Sequence, residues 1–175
     1  MPETVFKGLV TRDKKVAFME VLNGSEAGQG TYTRMSKFTD MGKSSNPNEY
    51  SRKYVDESGE ETDVTGYSPS ISYTFDQYTD NAVHAEIIDI TDNEKVGDAA
   101  VRNIIIVDFT SPVTGQDGQY NAKKRAYSVV PDADGDDANT YTYSGTFRSK
   151  GSAEDVVVTV SADGQTCTIV TQSEE

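Results

Sequence analysis

Apolar and polar side chains alternate strictly between residues 70 and 76. Ile71, Tyr73 and Phe75 fall on one side of an extended chain, and the serine, threonine and aspartate residues between them fall on the other. This period of two is typical of a strand that buries one face in a core. The same period recurs between residues 139 and 148. The chain is therefore expected to fold mainly into antiparallel strands.

Further strands are predicted wherever short apolar or alternating runs stand between turn residues. They cover residues 15–22, 32–38, 101–109, 120–130, 156–160 and 166–171. The run 101–109 is apolar on both faces at its centre, so we expect both of its faces to be covered. Asp163-Gly164 predicts a tight turn between the last two strands.

One helix is predicted after residue 78. Val83, Ile87 and Ile90 recur at helical spacing, Asp80 is the expected N-cap, and Glu86 is expected on the outer face. The fold class is thus mainly β, an antiparallel sandwich or barrel with one flanking helix. A single domain of residues 1–175 is expected, with residues 1–22 as an N-terminal arm or strand and 172–175 as a frayed tail.

A long polar stretch interrupts the strands at residues 40–66. Compact domains seldom keep so long a connection without a function. Tyr50, Arg52 and Tyr54 would share one face of an extended chain, and tyrosine and arginine often anchor interfaces. The stretch is interpreted as a loop with a hairpin-like arm, and the alternative is a mobile surface loop. The candidate inter-subunit contacts are Glu49, Tyr50, Arg52, Lys53, Tyr54 and Asp56.

Charge and composition exclude several classes of protein. The formal net charge is −13, so the chain is not expected to bind nucleic acid by neutralising phosphates. The single cysteine allows no intrachain disulfide, and no apolar run is long enough to span a membrane. The first residues lack a signal-peptide pattern, which predicts that the protein is made and kept in a cytoplasm or leaves it by a route other than a signal sequence.

No catalytic residues, cofactor or metal site are predicted. The chain has one histidine, His84, and one cysteine, Cys167, and neither is accompanied by the partners that nucleophilic catalysis requires. Residues 132–137 begin like a calcium loop, with aspartate at positions 1, 3 and 5. The sixth position is Asp137 instead of glycine and the twelfth is Tyr143 instead of glutamate, so an acidic turn is favoured.

Several segments together resemble one family. They are residues 46–57 (NPNEYSRKYVDE), residues 65–73 (TGYSPSISY), the capped helix, residues 103–109 and the late strand 142–147 (TYSGTF). In this order they resemble the major tail (tail tube) proteins of long-tailed phages that infect Gram-positive bacteria. The resemblance runs from residue 32 to the C-terminus and rests on structural patterns.

The resemblance implies a subunit that forms hexameric rings, which stack into a tube through which DNA passes without specific binding. Residues 43–63 would be the long loop that reaches neighbouring subunits. Tape measure, tail terminator and distal tail proteins would be further partners, in a virion tail assembled in the host cytoplasm. An acidic lumen would repel DNA. Arg52, Lys53 and Lys123 would then face acidic groups of neighbouring copies.

Two other functions remain open from the residues. A tube subunit of a phage-tail-like bacteriocin or injection machine would have the same sequence features. A β-sandwich carbohydrate-binding or adhesion module would use exposed aromatic side chains, for which the ten tyrosines are candidates although tryptophan is absent.

Overall fold

The computed structural model describes residues 6–22, 24, 26 and 29–170, in which the chain forms twelve strands and one α-helix. The strands are β1 (Lys15–Val21), β2 (Thr31–Arg34), β3 (Phe38–Asp40), β4 (Lys43–Ser44), β5 (Pro47–Lys53), β6 (Glu60–Tyr67), β7 (Ser70–Asp76), β8 (Val101–Pro112), β9 (Gln119–Asp134), β10 (Thr142–Ser149), β11 (Glu154–Val160) and β12 (Thr166–Ile169). The helix is α1 (Ala82–Asp92). The predicted tail 172–175 lies outside the described residues.

Six strands close into an antiparallel barrel. Their order is β11, β12, β2, β1, β8 and β9, and β11 completes the circle by pairing with β9, where Val158 lies opposite Tyr120. The barrel interior is filled by buried side chains from all six strands: Val16, Phe18, Tyr32, Ile105, Val107, Ala122, Val158 and Cys167. The predicted fold class is confirmed, and of its two forms the barrel is the one observed.

Strand β9 belongs to two parts of the molecule at once. Its first half pairs with β11 inside the barrel, and its second half pairs with β10 outside it. β10 pairs in turn with β7, and the short strands β3 and β4 pair with the other edge of β7. The sheet therefore extends beyond the barrel as a flanking layer.

Helix α1 covers one face of the flanking layer. Val83, Ile87 and Ile90 are buried at the predicted spacing, in one core with aromatic residues of β7 and β10. The strand β8 contributes to both cores, since Ile105 belongs to the barrel interior and Ile104 to the helix side. The prediction that both faces of this strand are covered is confirmed.

The helix begins one residue later than predicted. Asn81, and not Asp80, is the N-cap, and its Oδ1 accepts from the backbone N–H groups of Val83 (3.1 Å) and His84 (3.2 Å). Its Nδ2 also donates to the carbonyl oxygen of Ser36 at 3.1 Å. Because a carboxylate has no such donor, the amide caps the helix and ties it to the preceding loop in a way that aspartate cannot.

Glu86 does not lie on an open outer face as predicted. Its Oε1 lies 2.8 Å from Arg102 Nη2, and the two side chains are only 13% and 3% exposed. Arg102 also donates through Nη1 to the carbonyl oxygens of Ala99 and Val101. This buried ion pair joins the helix to the start of β8.

Residues 32–38 do not form one strand. β2 ends at Arg34 and β3 begins at Phe38, and between them Lys37 has a φ of 62°. A left-handed residue breaks an extended run and redirects the chain. β2 therefore stays in the barrel, whereas β3 crosses to the flanking layer and pairs with β7.

Among the described residues, no helix combines the length and the apolar character that crossing a membrane requires.

Candidate self-assembly surface

The stretch 40–66, predicted as a long loop with a hairpin-like arm, contains three strands. β4 is a two-residue strand on the edge of β7, and β5 and β6 form a separate antiparallel hairpin. This two-stranded sheet has no described pairing with the barrel or the flanking layer. The arm is thus ordered strand along most of its length. We call residues 47–67 the hairpin.

The root of the hairpin is fixed by Asn46. Asn46 has a φ of 44°, in the left-handed region that asparagine tolerates better than most residues. Its Nδ2 donates to the carbonyl oxygen of Ser68 (3.1 Å) and to Ser70 Oγ (3.0 Å), and its carbonyl accepts from the Ser68 N–H at 3.2 Å. The chain therefore leaves β4 and returns to β7 at one point.

Cross-strand contacts hold the two strands of the hairpin together. Ser51 Oγ and Thr62 Oγ1 are 2.8 Å apart and share a hydrogen bond. Arg52 lies opposite Glu61 and Lys53 opposite Glu60, which places opposite charges side by side. A register shift between Asn48 and Glu49 adds a bulge near the root. Such bulges increase the local twist of a ribbon.

The structure brings together only some of the predicted contact residues. The Arg52 guanidinium lies 5.6 Å from the centre of the Tyr50 ring, so these two share a face as predicted. Glu49 and Lys53 fall on the opposite face because they alternate with Tyr50 and Arg52 along β5. Tyr54 and Asp56 lie beyond the end of β5, in the turn at the tip. All six predicted residues are exposed.

Exposure of the hairpin is nearly complete. Every residue of β5 is exposed, and so is every residue of β6 except Gly66. Five large apolar side chains are among them: Tyr50, Tyr54, Val55, Val64 and Tyr67. An isolated two-stranded hairpin is marginally stable in water. A ribbon with open faces and this much exposed apolar surface fits a segment that is covered by another molecule.

Val55, Val64 and Tyr67 were not among the predicted contacts. Val55 is fully exposed at the tip, and Val64 lies opposite Glu49 on the face away from Tyr50. Their apolar character within a polar stretch is the sequence signal that could have identified them. The hairpin also carries six acids and two bases, so its net charge is negative.

His84 and Cys167 are structural in their observed surroundings. His84 Nδ1 accepts from the Tyr78 N–H at 3.2 Å, which leaves the proton on Nε2 to donate to the Ser36 carbonyl at 3.1 Å. Its ring stacks on Phe75, and burial lowers its pKa. Burial raises the pKa of the Cys167 thiol to about 12. A thiol with that pKa stays protonated near neutral pH, whereas a nucleophile requires the thiolate.

The calcium-like segment is divided between a strand and a turn. Asp132 and Asp134 are in β9, and Asp134 accepts a hydrogen bond from the Tyr141 hydroxyl, which raises the pKa of that phenol to about 12. Asp137 accepts from the Asn139 N–H at 2.7 Å, a contact that lowers the pKa of its carboxyl. No group of three or more metal-ligating side chains with suitable geometry occurs in the described part of the chain.

Two of the three consecutive bases at residues 123–125 have ion-pair partners within the chain. Lys123 Nζ lies 2.6 Å from Asp155 Oδ1, and Lys124 Nζ lies 3.9 Å from Glu154 Oε2. Both contacts cross from β9 to β11, next to the barrel closure. In the isolated chain Lys123 therefore pairs with an acid of its own barrel.

Comparison with known proteins finds similarity in structure only. No protein-family model and no curated protein sequence matches the chain. A chain in the tail of an empty GTA particle, solved by helical refinement with C6 symmetry, matches with a TM-score of 0.58 at 12% identity, covering 83% of this chain and 98% of that one. A chain of the six-fold symmetrised baseplate of the anti-feeding prophage (AFP) matches with a TM-score of 0.48 at 6% identity, covering 86% of this chain and 97% of that one. The first match shows that the two chains share a fold.

Proposed function

We propose that this chain is a non-enzymatic structural subunit of a phage-type tail, and more specifically a tail tube protein whose hexameric rings stack into a conduit for DNA. The observation that carries the proposal is the exposed hairpin, an ordered ribbon with apolar side chains on a surface that none of the described residues of its own chain covers. Such a surface suits lateral or axial contact with another copy. The shared fold with a chain in a GTA tail of C6 symmetry supports this assignment.

The charge of the chain suits the proposed conduit. With a net charge of −13 in each copy, a ring of copies repels the phosphates of passing DNA. The same charge opposes assembly, because neighbouring copies repel one another unless their contacts pair opposite charges. The predicted contact residues include two bases, Arg52 and Lys53, which would face acids of a neighbouring subunit.

The proposal includes the remaining expectations from the sequence. The subunit would be assembled in the host cytoplasm into the tail of a long-tailed phage with a Gram-positive host. It would contact tape measure, tail terminator and distal tail proteins at the ends of the tube. A tube from a phage-tail-like bacteriocin or injection machine is the second candidate, because the same fold and hairpin would serve it. The genes next to this one would distinguish the two.

Excision of the hairpin tests the proposal. The root is closed by the Ser68 N–H to Asn46 carbonyl bond at 3.2 Å, so residues 47–67 can be replaced by two glycines without stretching the chain. We expect the wild-type protein to form rings or tubes at high concentration in negative-stain electron microscopy. The excised variant should stay monomeric while its circular dichroism and cooperative thermal unfolding show a folded barrel.

Two results would contradict the proposal. One is a wild-type chain that remains monomeric at high concentration across a range of salt. The other is a folded, excised variant that still forms tubes, which would remove the hairpin from assembly. Binding of the wild-type monomer to a glycan array would favour the carbohydrate-binding module instead.

A further inference from the structure

A groove on the outer wall of the barrel places lysines beside apolar side chains, and the tip of the hairpin has no basic residue. It has a volume of about 740 Å³ and lies between the start of β1, strand β4 and the β8–β9–β11 wall. Ile106 and Val157 provide its apolar part, since the side chains of the neighbouring Ala122 and Val156 turn into the barrel interior. Lys15, Lys43 and Lys123 provide its positive charge, and Asp108 and Asp155 are the acids that also line it.

One acid of the groove is ion-paired, and the other is hydrogen-bonded to neutral groups and lies across the β1–β8 ladder from Lys15. Asp155 pairs with Lys123 at 2.6 Å. Asp108 Oδ1 accepts from the N–H of Thr110 at 3.0 Å and from the Thr110 hydroxyl at 2.5 Å. Lys15 and Lys43 are exposed, and neither has an ion-pair partner among the residues that the structure describes. Two cations beside an apolar floor are thus available in a strongly acidic protein.

The hairpin tip has the complementary pattern. It consists of Tyr54, Val55, Asp56 and Glu57, and it therefore combines two apolar side chains with two carboxylates. All four residues are exposed. Neither carboxylate has an ion-pair partner within the described residues. An apolar pair followed by an acidic pair matches a groove with an apolar floor and two lysines.

We propose that this groove is the acceptor for the hairpin tip of a second copy of the chain. Val55 packs on the floor formed by Ile106 and Val157, and Asp56 and Glu57 pair with Lys15 and Lys43. The occupant comes from another copy because Val55 is fully exposed and no hairpin residue lines the groove of its own chain within the described residues. The contact is head to tail, which generates a closed ring or an open stack. This inference rests on the proposed function and names the site at which the hairpin acts.

A charge swap tests the contact. The Lys15→Glu/Lys43→Glu variant should raise the concentration needed for assembly by about tenfold or more, since like charges then face each other across the contact. The Asp56→Lys/Glu57→Lys variant should have the same effect, and the two pairs of changes in one chain should restore assembly. Thermal unfolding of each variant checks that the barrel is intact. The matched control is Lys7→Glu/Lys37→Glu, which reverses two exposed lysines that have no described ion pair and do not line the groove, and it should assemble at a concentration within about twofold of wild type.

Cross-linking gives a second measurement that changes no charge. Val55→Cys and Asn121→Cys, prepared as separate proteins and mixed, should be joined by a short bifunctional maleimide into a mixed dimer. Val96→Cys, which is exposed and does not line the groove, replaces Asn121→Cys in the control and should give no such product. The native Cys167 is buried and does not compete.

The outcomes separate this inference from the proposed function. If the wild type assembles and both the folded Lys15→Glu/Lys43→Glu variant and the cross-linking match their controls, the acceptor is elsewhere and the tube function stands. If the wild type does not assemble, both the proposed tube function and this inference are wrong. Assembly lost on each reversal and restored by the swap supports the groove.

Discussion

The Tyr73 ring lies directly against the Cα of Gly145, its partner across the β7–β10 ladder. A methyl group at position 145 would lie 2.5 Å from the Tyr73 hydroxyl oxygen and 2.6 Å from the Val130 carbonyl oxygen. The ladder is irregular at this point, with a register shift between Ser144 and Gly145. Glycine therefore lets an aromatic ring cover the strand at the centre of the flanking layer.

Gly145→Ala should destabilise the fold. The added methyl clashes with backbone as well as with a buried ring, and overpacking of this kind costs about 1–3 kcal/mol. The measurement is the urea midpoint of unfolding at pH 7.5. Gly59→Ala is the matched control, because nothing lies within 4 Å of its added methyl, and its midpoint should stay at the wild-type value. Equal midpoints for the two variants would show that the layer relaxes around the ring.

Among the ion pairs that the structure describes, Arg102–Glu86 should be the most costly to break. Arg102→Ala leaves a partly buried carboxylate without its partner, a change that typically costs about 3–5 kcal/mol. The comparison is Lys150→Ala, which removes the exposed ion pair with Asp98 and should cost about 0–1 kcal/mol. Free energies of unfolding from urea titration give both numbers. Losses of similar size would mean that the helix does not depend on the buried pair.

His84 should make the fold sensitive to mild acid. Burial lowers the pKa of His84 from its ordinary value of 6.5, so between that value and the lowered one the unfolded chain binds more protons than the folded chain. Stability contributed by the neutral ring is therefore full above pH 6.5 and falls as the pH decreases towards the lowered pKa. Protonation also removes the acceptor for the Tyr78 N–H.

The test is the free energy of unfolding at several pH values between 7.5 and 5. The His84→Gln variant lacks this titration, so its stability should decline less steeply than that of the wild type over the interval below pH 6.5. The variant's lower starting stability does not matter, because the comparison is between slopes. Parallel curves would assign the acid sensitivity to carboxylates instead.

Cys167 should not react with thiol reagents in the native protein. Its side chain is in the barrel interior and its pKa is raised to about 12, so both access and thiolate are lacking at pH 8. An Ellman titration should give no reactive thiol for the native wild type and one per chain in guanidinium chloride. The Val55→Cys variant should show one fast native thiol. Rapid reaction of the native wild type would show that the barrel opens readily.

Local patterns in the sequence predicted most of the strands. Alternation identified β7 and β10, and the long run 120–130 became β9, which is longer at both ends. The closure of the barrel was beyond such reasoning, since the pairing of β9 with β11 joins residues 30 to 40 positions apart and leaves no periodic pattern in the sequence. The break at Lys37 was missed because a left-handed lysine carries no signal in a run that is otherwise extended.

The candidate surface was predicted only in part, because local spacing identifies residues on one face of a strand and carries no information about distant partners. Tyr50 and Arg52 were found by their spacing, which places them on one face of a strand. β6 is polar on both faces apart from Val64 and the terminal Tyr67, so it has no period of two that would distinguish it from a loop. The choice of Asp80 over Asn81 as the helix cap failed because both residue types cap helices. The deciding bond is to Ser36, a distant residue.

The sharing of β9 between the barrel and the flanking layer has a mechanical consequence. The strand is 16 residues long, which corresponds to about 50 Å of continuous extended backbone. Force applied to one end of a subunit travels along this covalent backbone, with no need to cross a packed interface between two separate bodies. We therefore expect tension or compression to displace the barrel and the helix layer together, because both are built on this one strand.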